Sequence, residues 1–109
     1  MIKCWNTYRD IWFNDGSADM SPAATSMVAE IAAYLKQNPS LQVGLDSSTK
    51  FYRADESSSD LGNRRCKAVH DALVAAGVPA ASIRIGAFGK PSEPRDRRVE
   101  VLIETDMGQ

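Results

Sequence analysis

The sequence predicts a small α+β domain of mixed α/β type, with one mixed sheet packed against two helices. Three observations predict it: a length of 109 residues, a hydrophobic fraction of 43%, and segments that follow the order β-α-β-α-β-β. A chain of this length has room for one hydrophobic core. We therefore expect residues 1–109 to form a single domain, with its core at about residues 8–104 and a loose tail at 105–109.

The first half of the chain predicts a strand, a helix and a second strand. Residues 8–13 carry apolar side chains at period two and end in turn residues, which predicts a strand. A Ser-Pro pair opens a helical pattern over about residues 22–37, and an Asn-Pro pair closes it. Residues 41–46 then alternate apolar and polar or small side chains, as expected for a second strand.

The second half predicts a helix and two further strands. After a polar loop, a second helix is expected from residue 60 to residue 76, because a Gly-Val-Pro sequence follows it. Residues 83–85 predict a short strand, and residues 91–94 read P-S-E-P, which predicts a turn. The alternation around residues 99–103 predicts the last strand.

The last strand has one polar and one apolar face. Because side chains alternate along a strand, we expect Val99, Val101 and Ile103 to face the helices. Glu100 and Glu104 should then face solvent.

Composition excludes several classes of function. Thirteen Lys and Arg against fourteen Asp and Glu give a net charge of −1, so nucleic acid is not an expected partner. The first ten residues lack the apolar core of a signal peptide, and nowhere does the chain approach the roughly 18 apolar residues of a membrane span. Direct membrane insertion is therefore not expected, and the chain is either cytosolic or an excised domain.

Metal, cofactor and enzyme chemistry find little support. Cys4 and Cys66 lack C-x-x-C spacing, and whether they pair is open because pairing depends on their separation in space. The aspartates lack calcium-loop spacing, so no metal is predicted, and no cofactor motif is present. His70 is the only histidine and has no nucleophile at partner spacing, so we do not expect an enzyme.

One residue of the second helix does not match its surroundings. Its apolar face is formed by positions 61, 62, 65, 66, 69, 72, 73 and 76, and Arg65 is the only charge there. A buried, unpaired guanidinium is costly, so Arg65 must reach water, pair with a carboxylate or bind an anionic ligand. We expect Arg65→Ala to leave the fold intact or more stable, because the burial of the guanidinium is a cost that the ligand normally offsets.

Asp46 is the candidate partner of Arg65. It ends the second strand, and the carboxyl end of a strand commonly neighbours the start of the next helix. An arginine for a carboxylate and an aspartate for an ammonium would together recognise the zwitterionic head of an amino acid. The alternative is that Asp46 only neutralises Arg65.

Four segments resemble one protein family in the correct order. Residues 61–69, L-G-N-R-R-C-K-A-V, resemble the L-S-x-x-R-A-x-x-V helix motif of OmpA-like, peptidoglycan-associating domains. Residues 13–22 resemble the family's F-x-x-x-S-A-x-L-x-P segment, residues 77–78 its G-V pair, and residues 96–101 its N-R-R-V-E-I strand.

The resemblance implies a function in the bacterial envelope. Family members attach envelope proteins to the cell wall by binding the diaminopimelate end of a peptidoglycan stem peptide. Arg65 occupies the position of the motif arginine, which binds the ligand carboxylate. The family's G-H-T-D reads G-L-D-S at residues 44–47, so strict register places Ser47 where the ammonium-binding aspartate belongs and puts Asp46 one residue early.

The resemblance places further ligand contacts at Asn14 and Asp15 after the first strand, and at Ser58, where the family has asparagine. Residues 51–53, F-Y-R, lie in a loop longer than usual for the family and are candidates for contact with a sugar or peptide.

Two functions follow from the resemblance. The first is a module that tethers an envelope protein to peptidoglycan, with a periplasmic or envelope location. The second keeps the fold without the ligand and makes the domain a protein–protein interaction module in an envelope or secretion assembly.

Overall fold

A computed structural model of the chain describes residues 2–47, 56–86, 88 and 97–107, and side chains at 4–47, 60–86, 88 and 97–105. The predicted turn at residues 91–94 and the aromatic loop at residues 51–53 lie outside the described residues. The elements are β1 (Ile2–Trp12), α1 (Pro22–Gln37), β2 (Gln42–Asp46), α2 (Glu56–Ala75), a 3₁₀ turn (Ala80–Ser82), β3 (Ile83–Ile85) and β4 (Arg98–Met107).

The four strands form one mixed sheet in the order β1-β4-β2-β3. Strand β4 is antiparallel to both β1 and β2, while β2 and β3 are parallel. The two helices cover one face of this sheet, and the apolar side chains between the two layers form one hydrophobic cluster. The predicted fold class is confirmed.

Helix α1 has the predicted bounds because its ends carry strong local signals. The Ser21 hydroxyl accepts a hydrogen bond from the amide of Ala24 at 3.1 Å and caps the helix start. Pro22 occupies the first turn, where its missing N–H costs nothing. Asn38 ends the helix ahead of a proline.

The terminal strands are longer than predicted. Strand β1 begins at Ile2, which pairs with Met107 of β4, so the expected loose tail is wrong for residues 105–107. The alternation of side chains along β1 is interrupted because its register with β4 shifts between Thr7 and Arg9, which marks a β-bulge. Helix α2 also begins earlier, at Glu56, in a serine-rich stretch without apolar periodicity.

The sheet face opposite the helices is also buried in part. Val99, Val101 and Ile103 are buried as predicted, the two valines within the core cluster, but the expectation for Glu100 is wrong, since only 5% of it is exposed. The Thr7 hydroxyl donates a hydrogen bond to the Glu100 carboxylate. A carboxylate bonded in this way can be buried in a sheet face that binary patterning assigns to solvent.

Two aromatic rings contribute to this second buried layer. The rings of Trp5 and Phe88 lie 4.4 Å apart between centroids, and both approach the Cβ side of Gly44. A Cβ at Gly44 would lie 2.7 Å from the Phe88 ring and 3.1 Å from the Trp5 ring. Glycine is therefore required in the middle of β2 because the rings approach the backbone closely.

Candidate functional site

Arg65 lies on the buried face of α2 and is only 6% exposed. Its Nε donates a hydrogen bond to the carbonyl oxygen of Ser17 at 2.8 Å, and its Nη2 donates to the carbonyl oxygen of Asn14 at 3.0 Å. The sequence offered water, a carboxylate or a ligand as partners for this guanidinium. The observed partners are two backbone carbonyls of the β1–α1 loop, which side-chain patterns alone do not reveal.

The β1–α1 loop is a tight turn that presents both carbonyls to Arg65. The amide of Ser17 donates to the carbonyl of Asn14 at 3.0 Å, and Gly16 has a φ of 69°, which glycine adopts without strain. The Ser17 hydroxyl accepts a hydrogen bond from the amide of Asp19 at 2.9 Å. Arg65 therefore fastens a preorganised turn to α2.

The Arg65 guanidinium retains unused donors. A guanidinium has five N–H groups, and two of them bond to the loop carbonyls. Within the described part of the chain, both N–H groups of Nη1 and one of Nη2 have no hydrogen-bond partner. These donors form a fork suited to a carboxylate.

The electrostatic surroundings of Arg65 combine burial with nearby charges of both signs. Burial is the main cause that lowers the pKa of Arg65, and the nearby charge of Arg97 lowers it further, while Asp15 raises it. No ion pair joins Arg65 to Asp15 among the residues that the structure describes. The centroid of the Phe13 ring lies 5.5 Å from the guanidinium carbon, within the range of a cation–π contact.

Arg97 is a site neighbour that sequence reasoning did not single out. It has a φ of 59°, unusual for a residue with a side chain, and its carbonyl accepts a hydrogen bond from the amide of Phe13 at 2.7 Å. The strained backbone thus joins the start of β4 to the loop that Arg65 holds. Nothing in the sequence indicates a left-handed conformation at an arginine.

Ser47 lies against α2. Its hydroxyl donates to the carbonyl oxygen of Gly62 at 2.8 Å and accepts a 3.4 Å contact from the thiol of Cys66. A Cβ at Gly62 would lie 2.8 Å from the Ser47 hydroxyl, so the glycine allows the strand end to approach the helix. Gly62 and Arg65 share a helix face one turn apart, so Ser47 contacts the same face of α2 that carries Arg65.

Asp46 lies on the other side of the sheet. It is fully buried, and its Oδ2 accepts a hydrogen bond from the amide of Phe88 at 2.9 Å. It pairs with Glu100 in an unbroken register, so alternation turns it away from the helix-facing Leu45. No ion pair joins Asp46 to Arg65 among the described residues, and Asp46 therefore does not neutralise Arg65.

The predicted site residues thus separate into two groups. Arg65 bonds to the carbonyl of Asn14 and feels the charge of Asp15, Ser47 contacts Gly62 and Cys66 of the same helix, and Asp46 lies across the sheet. Ser58 lies near the start of α2, and its side chain is outside the described part of the structure.

The remaining polar side chains of α2 form a solvated surface. Exposed ion pairs join Arg64 to Asp60 at 3.0 Å and Lys67 to Asp71 at 2.9 Å. Hydrogen bonds from His70 and then from Lys67 lower the pKa of Asp71. Among the described residues, no group of three Asp, Glu, His or Cys side chains is placed to hold a metal ion, and no helix combines the length and apolarity of a membrane span.

Cys4 and Cys66 are not joined by a disulfide in this structure. Cys66 is buried on α2 beside Ser47, whereas Cys4 lies on β1 opposite Thr105.

Comparisons with known proteins identify relatives of this fold. The model of the OmpA family matches residues 12–101. The probable lipoprotein YiaD of Escherichia coli (strain K12) is 27% identical across 90% of this chain, and the chain spans only 49% of that lipoprotein.

Solved structures share the architecture at lower identity. The peptidoglycan-associated lipoprotein from Burkholderia pseudomallei superposes with a TM-score of 0.69 at 23% identity, covering 88% of this chain and 90% of its own. The OmpA-like domain of FopA1 from Francisella tularensis superposes with a TM-score of 0.69 at 19% identity, covering 94% of this chain and 79% of its own. The C-terminal domain of Helicobacter pylori MotB superposes with a TM-score of 0.69 at 17% identity, covering 92% of this chain and 87% of its own.

Proposed function

The chain belongs to the OmpA family, and from that premise we propose that it binds peptidoglycan non-covalently and tethers an envelope protein to the cell wall. A structural relative is named as a peptidoglycan-associated lipoprotein, and a sequence relative is named as a probable lipoprotein. The proposed location is the periplasmic side of the envelope. The proposed role is binding and not catalysis.

The unused donors of Arg65 carry this proposal. We propose that they bind a carboxylate at the free end of diaminopimelate in a peptidoglycan stem peptide. Nη1 and Nη2 are fixed in orientation because Nε and Nη2 already bond to the β1–α1 loop. A charge-assisted hydrogen bond of this kind contributes about 1.5 to 3 kcal/mol, and a preorganised donor loses little entropy on binding.

The ligand ammonium then lies between Asp15 and Ser47. Asp15 is exposed and its negative charge acts on Arg65, so it would also attract a cation held beside that guanidinium. The Ser47 oxygen has donated its own proton to Gly62 and keeps a lone pair for an ammonium N–H. An exposed, solvated carboxylate and a neutral hydroxyl bind an ammonium more weakly than a buried aspartate in direct contact, so we expect modest affinity.

The test is a titration with a stem tripeptide that ends in diaminopimelate, followed by amide resonances. The largest shifts should appear at residues 14–17 and at Arg65. Arg65→Lys should weaken binding about tenfold or more, because lysine cannot bond both loop carbonyls and fork onto a carboxylate. Arg64→Lys is the matched control, since Arg64 is exposed on the other side of α2 and should bind like wild type.

A second candidate function keeps the fold without this ligand. Ser47 turns its hydroxyl toward α2 and Asp46 lies across the sheet, so no carboxylate stands where the family resemblance places one. This arrangement favours a protein–protein interaction module in an envelope or secretion assembly. If millimolar stem peptide moves no resonance and isolated cell wall does not sediment the protein, the peptidoglycan proposal fails and this function replaces it.

A further inference from the structure

A pocket of about 360 Å³ lies at the opposite end of the molecule from Arg65. The end of α2 at Ala75 is ten residues beyond Arg65, which corresponds to about 15 Å along the helix axis. The volume is within the range of small-molecule sites. Its lining is largely apolar and comes from the end of α1 and the segments that precede β2 and β3: Leu35, Lys36, Pro39, Leu41, Gly77, Val78, Pro79 and Ser82.

Lys36 is the single charged residue of this lining. Its Nζ donates a hydrogen bond to the carbonyl oxygen of Ala76 at 3.0 Å, which fixes the ammonium at the end of α2. Its stem lies 3.3 Å from the position of a Cβ at Gly77, so it packs along the pocket wall. An ammonium has three donors, and two of them remain for a ligand at the rim.

The backbone around the pocket has no amide to offer a peptide. The two prolines have no N–H group, and the amides of Leu35 and Lys36 lie inside α1. The other amides of the lining donate within the chain: Leu41 to Asn38, Gly77 to Val74, Val78 to Leu73, and Ser82 to Pro79. A bound peptide would leave its carbonyls without backbone partners, which disfavours a peptide as the occupant.

We propose that this pocket is a second binding site, which takes an aliphatic carboxylate of about eight to ten carbons. The hydrocarbon chain fills the apolar volume, and the carboxylate accepts hydrogen bonds from Lys36. The Ser82 hydroxyl, which has no partner among the described residues, is the second polar group available to the ligand. The site is independent of the Arg65 site and does not rest on peptidoglycan binding.

The test is a titration of the full chain with hexanoate, octanoate and decanoate, followed by amide resonances. The shifts should concentrate at Leu35, Val78 and Ser82. Affinity should rise about tenfold for each two added methylenes, because each buried methylene adds a constant increment to the binding free energy. Octylammonium at the same concentrations should bind at least tenfold more weakly than octanoate, because its charge repels Lys36.

Two variants separate the pocket from general surface binding. Lys36→Met keeps the length of the side chain and removes its charge. It should weaken octanoate binding about tenfold and abolish the preference for octanoate over octylammonium. Ser82→Leu should fill the pocket and weaken every chain length, with thermal melting as the check on folding. Arg65→Lys should leave octanoate binding unchanged. Equal affinity for octanoate and octylammonium, or shifts that persist in Ser82→Leu, would overturn the proposal.

Discussion

The Nε of Arg65 donates to the carbonyl oxygen of Ser17 at 2.8 Å, across a separation of 48 residues. This bond joins the middle of α2 to the loop that leads into α1. Together with the bond to Asn14, it gives the one cation on the apolar face of α2 a structural role. The residue that the proposed ligand needs is therefore also one that the fold needs.

The first prediction concerns this structural role. We expect Arg65→Ala to lower the free energy of unfolding by about 2 to 4 kcal/mol, because two hydrogen bonds from a charged donor are lost and a buried volume is emptied. This reverses the expectation from the sequence, which treated the burial of Arg65 as a cost. Urea unfolding followed by fluorescence measures the change.

Arg64→Ala is the control for this measurement, since it removes an exposed arginine from the adjacent position. We expect it to change the free energy of unfolding by less than about 0.5 kcal/mol. If Arg65→Ala is no less stable than Arg64→Ala, the two loop bonds contribute nothing and the original expectation is correct.

The sequence predicted the fold well where one signal dominated locally. The Ser-Pro start and the Asn-Pro end gave the bounds of α1, and period two gave the buried face of β4. It failed for β1, where a bulge interrupts the alternation of apolar and polar side chains. It also failed for Glu100, which accepts a hydrogen bond from Thr7 of β1, a neighbouring strand that is distant in sequence. A hydrogen-bond partner 93 residues away in sequence cannot be inferred from the local pattern of polar and apolar residues.

The candidate site was predictable only in part, and for a similar reason. Arg65 stood out because it is charged on an apolar face. The choice between Asp46 and Ser47 required knowing whether a bulge interrupts β2 before residue 46. The register is unbroken, so Asp46 faces Phe88 and Ser47 faces α2.

The second prediction concerns the buried thiol of Cys66. Burial raises the pKa of this thiol above its ordinary value of 9.0, and the charge of Asp46 adds to the rise. Above pH 9 the unfolded chain loses this proton while the folded chain keeps it. The free energy of unfolding should therefore be unaffected below pH 9 and should fall as pH rises from there toward the folded-state pKa.

The contribution of one thiol has an upper limit of about 1.4 kcal/mol per pH unit. Urea unfolding between pH 8 and pH 10.5 measures the slope, and Cys66→Ala provides the comparison. The variant should have a lower free energy of unfolding over the whole pH range, but its free energy should fall less steeply as pH rises. Parallel declines in the two proteins would mean that Cys66 does not contribute.

The third prediction concerns the aromatic layer over β2. We expect Gly44→Ala to lower the free energy of unfolding by about 1 to 3 kcal/mol, because the new methyl overlaps the rings of Phe88 and Trp5. The fluorescence of Trp5 should also shift as its ring is displaced. In a Phe88→Leu background the same alanine should cost less. An equal cost in both backgrounds would show that the Phe88 ring is not the source of the strain.

The fourth prediction concerns the proposed ligand and the missing carboxylate. An aspartate at position 47 cannot donate to the Gly62 carbonyl, and it would be repelled by that oxygen. The carboxylate should therefore turn away from the Gly62 carbonyl toward the Arg65 guanidinium, where the ligand ammonium is proposed to lie. We expect Ser47→Asp to cost about 1 to 2 kcal/mol of stability and to strengthen binding of the stem tripeptide at least tenfold.

Two further variants decide where the ammonium is held. Ser47→Asn matches the size of aspartate without its charge, and its amide N–H can still donate to the Gly62 carbonyl, so it should lose less stability than Ser47→Asp and gain no affinity. Asp46→Asn should leave the affinity for the tripeptide unchanged, because Asp46 faces Phe88 on the other side of the sheet. Titrations of all three variants with the same peptide, at one salt concentration, make the comparison direct. If Asp46→Asn abolishes binding while Ser47→Asp does not improve it, the ammonium is held across the sheet and the proposed placement beside Arg65 is wrong.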